Sequence, residues 1–241
     1  MANLAQLKIL EDLNAALLVD KPAGIAFSTV QKAVKRKFNL VHVGHGGSLD
    51  ASASGLFVLL INDANKFVGD IMGADRSYEG TFRLGVKTST GDMQGNIIEE
   101  KDFSAIDANA IAKVMPQFKG DIFQTEPRFC AVRREGSVLY EIADTGEHKP
   151  FLSHVWKFNA ALLPEKPGVV AFSLNAMKGL LVRALADDFG AELGCWAALE
   201  SCRRTRIGKF KVEDAIAFDK LLDMDIRDFA SCTIPLREVL Q

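Results

Sequence analysis

The sequence of 241 residues lacks the features that mark several special classes of protein. Its longest strongly apolar run, Leu56–Ile61, is far shorter than the ~20 residues that a membrane helix needs. Its four cysteines include no C-x-x-C pair, and Lys8, Glu11 and Asp12 give the N-terminus a charged character unlike a secretory signal. There is no internal repeat or low-complexity tract. We therefore expect a cytoplasmic protein with free thiols and no membrane-spanning segment.

The sequence also lacks an excess of charge of either sign. The formal net charge is −2, so the whole protein provides no general attraction to nucleic acid. Hydrophobic residues make up 48% of the chain, which is enough for a sizeable core. Any contact with RNA must therefore depend on local groups of basic residues.

Strand and helix patterns alternate irregularly along the chain. Ala15–Asp20 and Gly55–Ile61 read as buried strands, and Ser28–Phe38 reads as a helix capped by Ser28. The other predicted elements are helices Asp63–Ile71, Ala105–Met115 and Leu180–Leu193, and strands Tyr78–Leu84, Phe129–Arg133, Val155–Leu162 and Val169–Leu174. This order lacks the strict alternation of a doubly wound fold. It predicts an α+β protein with a mixed, mostly antiparallel sheet flanked by helices, as a single domain over residues 1–241.

The segment richest in chemical groups is the loop His42–Ser54. It displays His45 and Asp50 among three glycines, and glycines let a backbone approach a ligand closely. Loops held between rigid elements often carry functional groups. Taken alone, however, an aspartate on such a loop is more often a turn or cap residue than a catalyst.

Several spaced motifs resemble those of the TruB-type pseudouridine synthases. The loop reads G-H-G-G-S-L-D from Gly44 to Asp50, similar to the family's G-H-x-G-(S/T)-L-D. The other matching segments, in chain order, are Lys21–Gly24 (K-P-x-G), Tyr78, Leu84–Gly85, Thr88–Gly95 (T-x-T-x-D-x-x-G), Gln124 to Glu141 (Q-x-x-P…L-Y-E), Lys178–Arg183 (K-G-x-x-x-R), Asp188–Gly190 and Arg203–Gly208. The similarity runs in order from about Leu17 to the end of the chain.

The resemblance implies the pseudouridine synthase fold and a cofactor-free, metal-free isomerisation. A uridine at position 55 in the T-loop of tRNA would be flipped out, and its base would be detached from C1′ of the ribose and rejoined through C5. Asp50 would be the catalytic carboxylate, acting as a nucleophile at the sugar or as a base at the 2′ position. A carboxylate suits either route, because cleavage of the glycosidic bond builds positive charge at C1′.

The resemblance also implies a set of substrate-binding residues. Tyr78 would stack on the flipped uracil, Arg183 would pair with the catalytic carboxylate, and His45 would help to hold the T-loop open. Lys21 and Lys178, the lysines of two of the motifs, complete the predicted set. Taken alone, Tyr78 could be a core residue of a strand, and Arg183 could form an exposed pair with Asp187 one helical turn later.

Two other groups of residues have side chains of the kinds that bind metal ions or RNA. His42 and His45 with Asp50 on a glycine-rich loop are weak grounds for a metal site. Two basic clusters could contact phosphates, although charge runs are usually solvated faces. Their members are Lys32, Lys35, Arg36 and Lys37 in the first cluster, and Arg203, Arg204, Arg206, Lys209 and Lys211 in the second. The second cluster is the better candidate, because it falls within the family-like region.

The sequence departs from the family pattern at three positions. Leu181 stands where the family has a tyrosine, Cys202 replaces a leucine, and Gly46 replaces a threonine. The chain also ends near Gln241, so we expect no C-terminal PUA domain. These departures keep two alternatives open: a catalytically impaired RNA-binding or tRNA-folding protein, and a synthase acting on a uridine in another stem-loop RNA. We expect a monomer that binds the T-stem-loop of tRNA.

Overall fold

The structure, a computed structural model, describes residues 13–125 and 150–239, and the backbone of two short strands at 132–134 and 137–139. The predicted strand Phe129–Arg133 and the motif residues Pro127, Ala131, Gly136, Tyr140 and Glu141 lie wholly or partly outside the described residues. The chain divides into two compact units: the first contains Met1–Arg76 and Arg203–Gln241, and the second contains Ser77–Cys202. The prediction of a single domain over residues 1–241 stays a prediction.

The first unit is built on two strands that are buried on both faces. Its strands are β1 Ala15–Lys21, β2 Val43–His45, β3 Ser54–Ile61, β13 Phe210–Lys211, β14 Ile216–Ala217 and β15 Ile234–Pro235. Its helices are α1 Phe27–Lys37, α2 Val68–Gly73, α5 Phe218–Asp223, α6 Ile226–Ser231 and α7 Leu236–Val239, with 3-10 turns at Asn62–Phe67 and Val212–Asp214. β1 pairs antiparallel with β3 and parallel with β14. The last residues of β12, Ala197–Ile207, pair parallel with β3.

Alternation along β1 and β3 produces two hydrophobic clusters in the first unit. Leu17 and Val19 pack on one side with residues of α1, α5 and α6, where Phe38 and Phe229 stack at 3.8 Å between ring centroids. The residues that alternate with these along the two strands are also buried and pack on the opposite side: Ala16, Leu18, Leu56, Val58 and Leu60. Because apolar burial is the main favourable term in folding, this central strand pair is a rigid base for the loops at its ends.

The second unit packs a sheet against helix and 3-10 elements. Its strands are β4 Arg76–Leu84 (from Ser77 on), β5 Val86–Thr88, β6 Ile97–Glu100, β7 Gly120–Gln124, β8 Val132–Arg134, β9 Ser137–Leu139, β10 Phe151–Leu162 and β11 Val169–Ala176, with the first residues of β12. Its helices are α3 Ala108–Val114 and α4 Val182–Glu192, with a 3-10 turn at Met115–Phe118. β4, β11, β10 and β7 are neighbours in that order, and β10 is antiparallel to both β11 and β7.

Aromatic rings fill the core of the second unit. Phe82 stacks on Phe172 at 4.3 Å between centroids, and Phe189 of α4 contacts Phe82, Phe118 and Phe158. Trp196 has a positive φ of 61°, and its ring lies 4.2 Å from each of two lysine ammonium groups.

The predicted α+β fold with a mixed, mostly antiparallel sheet is confirmed. The prediction of Ser28 as the N-cap of α1 was wrong. The helix begins at Phe27 after Ala26, so Ser28 lies within its first turn and does not cap it. The loop His42–Ser54 contains a short strand, β2, which the glycines of the sequence concealed. Among the residues that the structure describes, no helix is both long and apolar enough to cross a membrane.

Candidate active site

Asp50 lies on an exposed loop that is fixed at several points to the first unit. The loop follows β2 and precedes β3, and the Asp50 side chain is exposed. The Gly46 N–H donates to the Val58 carbonyl at 2.9 Å, and the Gly24 N–H donates to the Ala51 carbonyl at 2.7 Å. The K-P-x-G turn that contains Gly24 therefore touches the residue after Asp50. The loop presents its carboxylate from a backbone that is hydrogen-bonded on both sides.

Lys21 lies directly beneath this loop. Its side chain is fully buried, and its ammonium donates hydrogen bonds to the carbonyls of Pro22 and Ile25, both at 2.8 Å, and of Ala51 at 3.4 Å. Burial, and after it the Arg204 charge, lower the pKa of Lys21 to about 8, while the Asp50 charge opposes the shift. The structure thus brings Lys21 close to Asp50. Its predicted contact with substrate stays a prediction.

His45 is held within the first unit by its ring. The Gly47 N–H donates to His45 Nδ1 at 3.2 Å, so the neutral ring carries its proton on Nε2. The ring packs on Phe27, with 5.1 Å between centroids, and lies 5.9 Å from Phe57. These contacts fix the direction of His45 beside the loop, as a structural role requires.

Two buried arginines support the backbone of the loop. Arg204 and Arg76, which are 1% and 6% exposed, direct their guanidinium groups at main-chain carbonyls of Gly46, Gly47 and Ser48. The sequence predicts Arg204 as a member of a basic cluster that contacts phosphates. That prediction was wrong, because a side chain with 1% exposure cannot reach a phosphate in solvent.

The rest of the second basic cluster is also largely engaged within the protein. Arg203 forms a two-pronged ion pair with Asp20 at 2.9 and 2.7 Å, and Arg206 donates to the Gly208 carbonyl. These contacts explain the run of arginines on β12 by interactions within the first unit. The alternation of the strand directs Arg204 inward, and its burial could be inferred only from the position of β12 beside β3.

The second unit contains Tyr78, Lys178 and Arg183. Tyr78 is buried on β4, and Lys178 is exposed before α4. Arg183 lies in the first turn of α4, is 8% exposed and donates to the Thr90 carbonyl at 2.9 Å. An exposed pair of Arg183 with Asp187, the alternative that applies when Arg183 is taken alone, does not fit a buried Arg183. Because Asp50 belongs to the first unit, the pairing of Asp50 with Arg183 stays a prediction, as does stacking by Tyr78.

The T-x-T-x-D motif forms a tight turn against Arg183. Asp92 accepts hydrogen bonds from the Thr90 hydroxyl at 2.6 Å and from the Gln94 N–H at 3.1 Å. Gly91 has a φ of +75°, and a Cβ there would lie 3.3 Å from Arg183 Cβ. The motif thus fixes the backbone carbonyl that Arg183 contacts.

Leu181 is held in place through hydrogen bonds of its backbone N–H and carbonyl groups. Gln124, which is buried, donates from its amide to the Leu181 carbonyl and accepts from the Leu181 N–H, both at 3.0 Å. The start of α4 is therefore fixed by two hydrogen bonds to the backbone of residue 181, neither of which involves its side chain. Among residues 13–125 and 150–239, the structure shows no cluster of three or more acidic, histidine or cysteine side chains arranged to bind a metal ion.

Comparison with known proteins defines the class of this fold and site. The sequence model of the TruB family pseudouridylate synthase N-terminal domain matches residues 35–175, and that of the tRNA pseudouridylate synthase B C-terminal domain matches residues 183–241. The chain is 37% identical over 214 residues to tRNA pseudouridine synthase B of Burkholderia pseudomallei strain 668, covering 87% of this chain and 69% of that protein. It is 33% identical over 219 residues to tRNA pseudouridine synthase B of Bordetella avium strain 197N, covering 89% of each.

The fold agrees with these matches. A chain in the crystal structure of a Cbf5–Nop10–Gar1 complex superposes with a TM-score of 0.73 at 22% identity, over 98% of this chain and 63% of that chain. The fold and the sequence matches define a pseudouridylate synthase, which is an isomerase. Within that class the chain belongs to the TruB family.

Proposed function

We propose that this chain converts the T-loop uridine at tRNA position 55 to pseudouridine, with Asp50 as its catalytic carboxylate. The family supports a tRNA pseudouridine synthase. The observation that carries the finer proposal is the exposed Asp50 carboxylate on a loop hydrogen-bonded from both sides, with Lys21 buried beneath it. A catalytic group must be both accessible and fixed in position, and Asp50 meets both conditions.

The chemistry is balanced without a cofactor. The bond from uracil N1 to ribose C1′ breaks and a bond from C5 to C1′ forms, while C5 loses a proton and N1 gains one. A carboxylate can bond to C1′ or remove the 2′ proton, and either route returns it unchanged. Water must be kept from C1′, because hydrolysis would leave an abasic site.

The remaining predicted residues would act on the flipped nucleotide. Tyr78 would stack on the uracil, at a contribution of roughly 1–3 kcal/mol for a base on an aromatic ring. Arg183 would keep a carboxylate ionised and oriented, and His45 and Lys178 would contact the RNA. For Lys21 we propose support of the Asp50 loop, because its ammonium already donates to three carbonyls. The monomeric state and the cytoplasmic location stay predictions.

The test is release of tritium from tRNA transcribed with uridine labelled at C5, together with mapping of the product by carbodiimide and primer extension. We expect one product in the T-loop, and we expect Asp50→Asn to lower the single-turnover rate by more than about 10³-fold. The matched control is Asp63→Asn, since Asp63 is an exposed carboxylate of the same unit, paired with Lys66.

Three outcomes would overturn part or all of this proposal. Full activity in Asp50→Asn would remove Asp50 from the chemistry. A tRNA-binding wild-type protein that forms no product would favour the RNA-binding alternative. Product in another stem-loop RNA, with none in the T-loop, would favour the alternative substrate.

A further inference from the structure

Arg204 makes three hydrogen bonds to main-chain carbonyls around the Asp50 loop. Its Nε donates to Leu56 O at 2.8 Å, one terminal nitrogen donates to Ser48 O at 2.8 Å, and the other donates to Gly47 O at 3.3 Å. The guanidinium is planar and always charged, so its donors have a fixed spread. Arg204 thereby joins the start of β3 to two consecutive residues of the loop.

Gly55 makes this contact sterically feasible. β12 and β3 pair in parallel with Arg204 opposite Gly55. Gly55 has a φ of +101°, and a Cβ there would lie 2.3 Å from the Arg204 carbonyl oxygen. Only glycine therefore lets the backbone of β12 come close enough for the Arg204 side chain to reach under the loop.

Arg76 extends the same support by one residue. Its guanidinium donates to Gly46 O at 3.4 Å and also to Met72 O and Ala74 O at 3.2 and 2.9 Å. The carbonyls of Gly46, Gly47 and Ser48 thus all accept from buried cations. A buried charge is tolerated only where it is well hydrogen-bonded, so these carbonyls and guanidinium groups fix one another.

We propose that Arg204, assisted by Arg76, is a positioning residue for Asp50. Ser48 lies two residues before Asp50, so clamping its carbonyl sets the direction in which the chain enters the catalytic position. A displacement of about 1 Å at a reacting group can lower a rate by about 10²-fold. This inference rests on the proposed function, because it requires Asp50 to be the reacting carboxylate.

The test is Arg204→Lys, which keeps the charge but replaces the three spread nitrogen donors of the guanidinium with a single ammonium nitrogen. We expect the single-turnover rate to fall by about 30–100-fold while the Kd for tRNA changes by less than about 3-fold. The matched control is Arg227→Lys, because Arg227 is an exposed arginine on α6 of the same unit and belongs to neither basic cluster. We expect that control to remain within about 2-fold of the wild-type rate.

Folding and catalysis are separated by normalising each rate to the fraction of folded protein, measured by thermal unfolding. If the loss in Arg204→Lys disappears on normalisation, or if Arg227→Lys loses as much, the positioning role is wrong. If Arg204→Lys does not fold, Arg76→Lys tests the same clamp through Gly46, with an expected loss of about 10-fold. An unchanged rate in folded Arg76→Lys would then overturn the proposal.

Asp50→Asn, measured in parallel, distinguishes the two levels of the argument. If Asp50→Asn is inactive while folded Arg204→Lys keeps the wild-type rate, only the positioning role is wrong. If Asp50→Asn is as active as the wild type, the proposed function itself is wrong, whatever the arginine variants show.

Discussion

The pKa of Lys21, a buried ammonium group, depends on the charged residues around it. An ammonium removed from water is costly, and burial is the main reason that the Lys21 pKa falls to about 8. The second reason is the nearby Arg204 guanidinium, and the Asp50 carboxylate acts in the opposite direction. The titration of Lys21 is therefore a probe of the charges around the candidate catalytic residue.

We expect Lys21 to titrate near pH 8 when its Cε and Nζ are followed by NMR in lysine-labelled protein. Arg204→Gln should raise this pKa by removing a positive neighbour, and Asp50→Asn should lower it by removing a negative one. Since the folded pKa lies below the unfolded value of 10.5, the unfolded state binds more protons between pH 8 and 10.5. The contribution of Lys21 to the free energy of unfolding should therefore rise over that range.

Lys21→Met serves as the control, because it should remove both the NMR signal and this rise in stability. A Lys21 signal that titrates with the other lysines would contradict the charge arrangement beneath the loop.

At the residue scale, the sequence indicates exposed groups better than buried ones. It predicted Asp50 on a loop, because glycine and serine flank it. It could not predict the burial of Lys21 and Arg204, because both residue types are normally exposed. The burial of Arg204 depends on β12 lying beside β3, a contact between residues about 150 positions apart.

At the element scale, α4 begins at a backbone fixed by hydrogen bonds and carries a half-buried aspartate with a raised pKa. Gln124 holds the residue before its first turn, and Arg183 reaches from that turn to Thr90. Further along α4, Asp188 is half-buried, and burial, followed by the charges of Asp187 and Glu192, raises its pKa to about 6. The sequence predicted the helix correctly, but it did not reveal that Asp188 is half-buried and has a raised pKa.

Asp188→Asn should stabilise the protein at pH 7.5 by about 1–2 kcal/mol, since each unit of pKa shift corresponds to about 1.4 kcal/mol and partial exposure reduces the effect. The folded pKa of Asp188 is raised, so its favourable contribution is complete below about pH 4 and is lost as the pH rises through about 6. The variant should therefore gain at pH 7.5 and show little gain at pH 4.

Urea unfolding followed by circular dichroism at both pH values measures the difference. Glu165→Gln, an exposed carboxylate of the same unit, is the matched control. An equal gain in that control, or a loss of stability in Asp188→Asn at pH 7.5, would contradict the prediction.

At the scale of the whole molecule, a net charge of −2 means that local groups must attract RNA. The second basic cluster is largely engaged within the first unit. The first cluster is exposed along α1, and its members are Lys32, Lys35, Arg36 and Lys37. Contrary to the prediction from the sequence, we therefore expect the first cluster to contact RNA more than the second.

Replacing all four basic residues of α1 by glutamine should weaken tRNA binding and flatten its salt dependence. Each lost phosphate contact lowers the slope of log Kd against log salt concentration by about 0.7–0.9, so the slope should fall by up to about 3. Filter binding at several salt concentrations measures this slope. The control replaces four exposed lysines elsewhere: Lys113, Lys119, Lys166 and Lys220. A similar loss in that control would show that α1 has no special role.

The division into two units could not be predicted from the sequence. Its boundaries, at Ser77 and Cys202, lie inside β4 and β12. A linker normally changes the local composition, whereas a strand that continues through a boundary leaves no such signal. The fold class, by contrast, followed from the irregular order of strands and helices.

The two-unit division has a spectroscopic consequence. Both tryptophans, Trp156 and Trp196, and both tyrosines, Tyr78 and Tyr140, belong to the second unit. The first unit, which carries Asp50, contains no indole or phenol chromophore. Every tryptophan and tyrosine that contributes to the intrinsic fluorescence therefore lies in residues 77–202, and a tryptophan introduced into the first unit would place a reporter in the part of the chain that bears the proposed catalytic carboxylate.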